Sequence, residues 1–187
     1  GFSIEYLNLL AEKIGIDLEF VNGQTWDELD GQLQNKTLDV THSIVESADR
    51  KKYLNFTNPY IQLPSVYFGK KGAQKINDLS DLEGQRIAVV KGFIHSGVFA
   101  KDYPHLDVTE YGALIDGLIA VSAGEMDVIP VALPIANYLV STNFITGLES
   151  VGREVLPEVQ DEIDLRIGVR NDWPELASIF NKAINAF

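Results

Sequence analysis

Residues 41–60, THSIVESADRKKYLNFTNPY, hold the end of a β-rich run (38–44), a polar turn, one arginine in a basic cluster, and an extended run over 53–57 that stops at Asn58-Pro59-Tyr60. Strand, loop and strand in this order place a cation at a strand's end. A guanidinium there, beside Ser43, Ser47 and backbone N–H groups, is suited to clamp a carboxylate or another planar anion through paired hydrogen bonds. Lys51 and Lys52 follow Arg50 directly, so the alternative is a solvated surface charge.

Toward the N-terminus, Ile4, Leu7, Ala11 and Ile14 recur at helical spacing and Gly15 follows, which predicts a helix over 3–14 closed by a glycine. Residues 16–21 alternate and are rich in strand formers, predicting a strand. Thr25-Trp26-Asp27-Glu28 fits a capping box, and Trp26, Leu29 and Leu33 then share one helix face. Helix and strand alternating at this pitch predict an α/β fold with a mainly parallel sheet covered on both faces and ligands at the loops beyond the strand ends.

Toward the C-terminus, 64–70 reads as a further strand, after which the pattern starts afresh. A connector over 76–84, a strand over 86–90, a glycine turn at Lys91-Gly92 and a short helix around 95–101 come first. A strand near 107–111, a helix over 113–123 with Leu114, Leu118 and Val121 as its stripe, a strand over 127–131 and a helix over 135–140 follow. Two successive sets joined by one extended strand predict two lobes. An acidic loop (Glu154, Glu158, Asp161, Glu162, Asp164), a strand over 165–170 and a last helix complete the chain. That helix is expected to start with Asp172 as N-cap, Pro174 in its first turn and Glu175 closing a capping box, and to bury Leu176, Ile179, Phe180 and Ala183.

The 187 residues, 45% of them hydrophobic, suffice for one good core or two small ones. A net charge of −12 argues against a nucleic-acid or anionic-membrane surface, which needs clustered Lys and Arg. The absence of cysteine excludes disulfides and thiolate metal sites or nucleophiles. No segment approaches a membrane-spanning apolar run. No signal-peptide pattern opens the sequence, and the abrupt start at Gly1-Phe2 before a helical pattern predicts a piece trimmed from a longer chain. His42, His95 and His105 lack metal-ligand spacing, and zinc-protease, P-loop, dinucleotide-binding and nucleophile-elbow patterns are absent, so neither a cofactor, a metal nor a catalytic residue is expected. The carboxylates read as a solvated acidic face.

Several motifs together carry a resemblance: GFSIEYLNLLAEKIG at 1–15, Trp26 with Leu29, Leu38-Asp39-Val40, Ser47 with Arg50, and Phe56-Thr57-Asn58-Pro59-Tyr60. Leu79, Asp81-Leu82-Glu83-Gly84, Ile87-Ala88-Val89-Val90 with Gly92, and Gly124-Glu125-Met126-Asp127-Val128 continue it nearly end to end. In order and spacing they resemble the bacterial extracytoplasmic solute-binding proteins of the polar amino-acid type. The resemblance implies a Venus flytrap, two α/β lobes closing on a small molecule, with lobe one at 1–64 plus 166–187 and lobe two at 65–165. It also implies that lobe one's usual first strand precedes Gly1.

By the same resemblance Arg50 grips the ligand's carboxylate with help from Ser43, and Trp26 packs against the ligand, the alternative for Trp26 being a core-facing helix residue. In lobe two the family places a glycine and a hydroxyl residue at a helix N-terminus, where amide groups and the helix dipole favour anions. This chain has Gly92-Phe93-Ile94-His95 there, without the hydroxyls. Gly92 and Phe93 are therefore expected at the ligand, and His95 as a polar or pH-sensitive contact, the alternative for each histidine being a satisfied core or surface group. The aspartate that holds an α-amino group falls near Ala132. Its loss would cost such a ligand about 1.5–3 kcal/mol, roughly ten- to a hundred-fold in affinity.

These departures, and a C-terminal run similar to flytrap modules of histidine kinases and diguanylate-cyclase receptors, imply a sensor domain on the periplasmic or extracellular side of the bacterial inner membrane. Its partners would be a small carboxylate or amino-acid-like ligand, the rest of a membrane receptor through a C-terminal helix still running at Phe187, and a second copy in a homodimer. The alternatives are the solute-binding protein of an ABC importer and an enzyme-linked module, since the fold also occurs in cyclohexadienyl dehydratases and fused to lytic transglycosylases.

Overall fold

The computed structural model describes residues 1–160 and 162–186, so the expectations resting on Asp161 and Phe187 lie outside the described residues. The chain forms two compact units, Gly1–Gln62 together with the stretch from Asp164 onward, and Leu63–Ile163. It passes from the first to the second in β3 (Ile61–Lys70) and returns in β8 (Glu162–Arg170).

In the first unit the helix α1 (Phe2–Ile14) ends on Gly15, whose left-handed φ of 73° lets its N–H bond back to the last turn. The strands β1 (Val40–Ile44) and β2 (Leu54–Phe56) flank β8 on opposite edges, both antiparallel. Leu7 and Leu10 of α1 and Leu176, Ala177, Phe180 and Ala183 of α6 (Pro174–Ile184) bury Ile167 and Val169 of β8 between them. A smaller core joins Leu33 of α2 (Trp26–Gln34) to Ile44 and Leu54, with Trp26 and Tyr53 packed against it. The capping box at Thr25 and Glu28 forms as expected.

Four expectations fail here. Residues 16–21 form no strand, although Ile16 and Leu18 pack on the α1–α6 core; strand formers make a ladder only where another strand's edge is available. Asp172 does not cap α6, because the Arg170 guanidinium takes both its oxygens at 2.8 and 2.9 Å; Trp173 stands at the cap, without a side-chain bond, and Pro174 opens the helix. Ile179, expected in the core, is 42% exposed, and α6 ends at Ile184. The apolar stripe of α1 is also displaced, with Leu10 buried and Ile4 exposed.

The second unit is a mixed sheet with helices on both faces. Strand β4 (Arg86–Val90) lies parallel between β5 (Asp107–Tyr111) and β6 (Val128–Ala132), and β3 runs antiparallel to both β6 and β7 (Leu148–Arg153). The parallel neighbours of β4 are reached through the helical crossovers α3 (Ile94–Asp102) and α4 (Leu114–Ala123), whereas the crossing strands run antiparallel to their partners, so the sheet is not mainly parallel.

Side chains alternate: Ile87 and Val89 face the Phe99 side, while Ala88 faces Leu118 and Val121 of α4 and Ala136 of α5 (Leu133–Thr142). Burial on both faces explains why β4 and β6 read as continuous apolar runs. Strand β7 escaped the sequence reading because only Leu148 and Val151 of its six residues are buried. Gly152 allows it to approach the segment at Ile76: a Cβ on Gly152 would lie 2.8 Å from Ile76 Cβ and closer still to its carbonyl oxygen.

Candidate functional site

In the first unit, a guanidinium is built into the junction of α2, the end of β1 and the 3-10 turn Arg50–Lys52. Arg50 is 8% exposed, so it is not a solvated surface charge. Its Nη1 donates to the carbonyl of Val45 at 2.7 Å, its backbone N–H donates to Ser47 Oγ at 3.2 Å, and its Cζ stands 5.4 Å from the centre of the Trp26 ring. A cation over an indole face is attracted by the ring's quadrupole, so Trp26 steadies the charge as well as covering core.

Tyr53 completes the surround: it shares a side-chain hydrogen bond with Arg50, and its hydroxyl donates to Asp30 Oδ1 at 2.6 Å. Burial pushes the Arg50 guanidinium down and Tyr53 and Asp30 offset part of that, so the group stays a cation. Burial and the bond to Asp30 push the Tyr53 phenol up, so it stays neutral.

Ser43 belongs to a neighbouring network. β1 carries an extra residue between Thr41 and Ile44, and Ser43 there adopts a left-handed φ of 57°. The strain of that conformation is offset by partners: Tyr60 Oη accepts from the Ser43 backbone N–H at 3.1 Å, and the Ser43 hydroxyl meets Tyr60 Oη at 3.1 Å and His42 Nδ1 at 2.8 Å. Tyr60 also donates to Ser3 Oγ at 3.1 Å. Burial pushes His42 down, which favours the neutral ring.

In the second unit Gly92, with φ of 82°, turns the chain out of β4, and Phe93, 40% exposed, precedes α3 without a side-chain cap. His95 points inward instead. It is 4% exposed, and its Nε2 donates to Glu154 Oε2 at 2.6 Å. The same carboxylate accepts from Ser65 Oγ at 2.8 Å, Tyr67 Oη at 3.0 Å and the backbone amides of Val155 and Leu156 at 3.0 and 3.1 Å.

Glu154, read from sequence as part of a solvated acidic loop, is thus a buried acceptor with five described donors. Burial pushes its carboxyl up, but His95, the Leu156 amide and Ser65 together outweigh that and leave it below the ordinary range. Trp26 and Arg50 are brought together, Gly92, Phe93 and His95 fall within one four-residue stretch at a helix start, and Asp30, Tyr53 and Glu154 are the polar groups that sequence reasoning missed. No spacing rule ties residue 30 to 53 or 95 to 154.

Among the described residues no cluster of three or more His, Cys, Asp or Glu could hold a metal ion, and no helix is long and apolar enough to cross a membrane. Two α/β units crossed twice by the chain, with a buried arginine in one, define a periplasmic-binding-protein-like domain. The chain belongs to the bacterial extracellular solute-binding proteins, family 3, which it matches over residues 1–187.

It is 24% identical over 184 residues to the virulence sensor protein BvgS of Bordetella pertussis, covering 98% of this chain and 14% of BvgS. It is 25% identical over 190 residues to the L-arginine-binding protein of Pseudomonas aeruginosa, covering 100% of this chain and 73% of that protein. The chain thus spans about a seventh of the BvgS proteins it matches. The crystal structure of a histidine kinase sensor domain with similarity to periplasmic binding proteins superposes with a TM-score of 0.88 at 25% identity, covering all of this chain and 79% of that one. An ancestral arginine-binding protein bound to glutamine superposes at 0.84 and 25%, covering 100% and 80%. The chain is therefore a solute-binding domain by family, and membrane-bound lytic murein transglycosylases F are also among its relatives.

Proposed function

We propose that this chain is the extracytoplasmic ligand-sensing domain of a bacterial transmembrane signalling receptor, taking a small carboxylate or amino-acid-like molecule that engages both units. The observation that carries the reading is Arg50: a cation withdrawn from water, steadied by Trp26 and aimed by Val45 and Tyr53, is kept in place at a desolvation cost that an anion would offset. Arg50 with Trp26 would hold the anionic end and the flat side of the ligand. Ser43 in the first unit and Gly92 and Phe93 at the start of α3 in the second would add contacts, and His95 would act from behind them.

An alanine at position 132 favours ligands that do not depend on an ammonium partner there. The output would be a population shift, in which a ligand preferring one arrangement of the units raises its share by the difference in affinity and so moves α6 and whatever follows it. The likeness to a virulence sensor protein and to a histidine kinase sensor domain supports the sensor role; on this reading the domain lies on the outer side of the inner membrane and works with the rest of the receptor and as a homodimer. A second reading, a binding protein for an ABC importer, is favoured by the match to the L-arginine-binding protein over most of its length.

The test is a thermal-shift screen of carboxylates and amino acids followed by calorimetric titration of the best ligand. Arg50→Ala should lower its affinity at least about a hundred-fold, the loss of a charge-assisted pair. Unchanged affinity would remove Arg50 from the site. The sequence following residue 187 distinguishes the two readings, since only a receptor continues into a membrane span and an output domain.

A further inference from the structure

Two short segments supply the indole, the phenol and the carboxylate described near the Arg50 guanidinium. Helix α2 contributes Trp26 and, one turn later, Asp30; the turn at 50–53 contributes Arg50 and, three residues on, Tyr53, whose backbone N–H bonds the Arg50 carbonyl at 3.1 Å. A phenol has a single proton to donate. Tyr53 donates that proton to Asp30 at 2.6 Å, so what it turns toward Arg50 is its oxygen lone pair.

The order is therefore guanidinium N–H to phenol oxygen, and phenol O–H to carboxylate. Hydrogen bonds in such a chain polarise one another, so the Asp30 charge strengthens the phenol as an acceptor. Asp30 is itself held, its second oxygen accepting from Gln34 Nε2 at 2.8 Å, and α2 is held at its start by the Thr25–Glu28 box. Routing carboxylate charge through a neutral phenol orients a buried cation by a directional hydrogen bond.

We infer that Tyr53 and Asp30 are positioning residues that aim the Arg50 guanidinium over Trp26 through the phenol, and thereby set the affinity for an anionic ligand that neither residue touches. The second half of this statement rests on the reading of Arg50 as an anion site; the first half does not.

The experiment has two arms. The protein has two tryptophans, so a Trp173→Phe background leaves Trp26 alone to report on the cation at its face. In that background Tyr53→Phe and Asp30→Asn should shift Trp26 emission in the direction set by Arg50→Met, with Asp30→Glu restoring much of the original spectrum. Leu38→Ala, which loosens the same small core without touching the relay, should leave the emission in place. Emission unmoved by both Tyr53→Phe and Asp30→Asn, or moved equally by Leu38→Ala, overturns the inference.

In the second arm L-arginine and sodium glutarate are titrated into the full chain. Tyr53→Phe and Asp30→Asn should each weaken a probe that binds by about ten-fold, the loss of one hydrogen bond to a charged group. Affinity equal to the parent's overturns the inference. Shifted emission in a protein that takes neither probe supports the positioning role and counts against the reading of Arg50 as a carboxylate site.

Discussion

Replacing His95 with leucine should be among the most damaging single changes in the second unit. The Glu154 side chain is 1% exposed, and His95 Nε2 is its closest donor at 2.6 Å. Leucine fills the volume but leaves a buried carboxylate short of one partner, and losing a hydrogen bond to a buried charged group costs about 1.5–3 kcal/mol. That is a large fraction of the roughly 5–15 kcal/mol by which a domain is stable. Tyr67→Phe, which removes one neutral donor at 3.0 Å and keeps the ring, should cost only about 1–2 kcal/mol.

The pH dependence has a definite sign. The Glu154 carboxyl in the folded protein lies below its ordinary value of 4.5. Its contribution is therefore complete above that value and is lost as pH falls through the lower folded one. In His95→Leu the largest force holding the carboxyl down is gone while burial remains, so the loss attributable to Glu154 should flatten. Urea unfolding of parent, His95→Leu and Tyr67→Phe between pH 3.5 and 7, followed by circular dichroism, measures both effects. A His95→Leu protein within about 1 kcal/mol of the parent and with the same acid slope would refute the buried pair.

Two other outcomes follow from the geometry. Thr25→Ala removes the hydroxyl that accepts the Glu28 amide and should cost about 0.5–2 kcal/mol in thermal or urea unfolding; because α2 carries both Trp26 and Asp30, it should also change Trp26 emission. Gly152→Ala puts a methyl group against the Ile76 backbone and side chain, where β7 cannot retreat without opening its bridge to that segment, and should cost about 3 kcal/mol by the same assay, while Gly97→Ala, at an open position, should be nearly silent.

Elements whose reasons are local were legible. The 13-residue α1 with its left-handed Gly15, the Thr25–Glu28 box, and the strands at Arg86–Val90 and Asp107–Tyr111 stand where the pattern put them. Misreadings came where a local signal had a distant competitor or lacked a distant partner. Residues 16–21 have strand composition but form no described ladder. Asp172 has capping chemistry, but the guanidinium at Arg170 holds it more strongly. Glu154 looks like one more charge in an acidic loop and is the hub of a buried cluster assembled from β3, α3 and its own turn.

The amino-acid order by itself determined the helix boundaries set by glycine and capping residues, the apolar periodicities that bury β4 and β6 on both faces, and the candidacy of Arg50, because those depend on neighbours within a turn or two of chain. Only the tertiary structure decided that Arg50 is buried under Trp26, that Tyr53 and Asp30 stand behind it, and that His95 is committed to Glu154. Hydrogen bonds between residues 23 and 59 positions apart form only when folding brings the segments together, and no pattern along the chain encodes which pairs will meet.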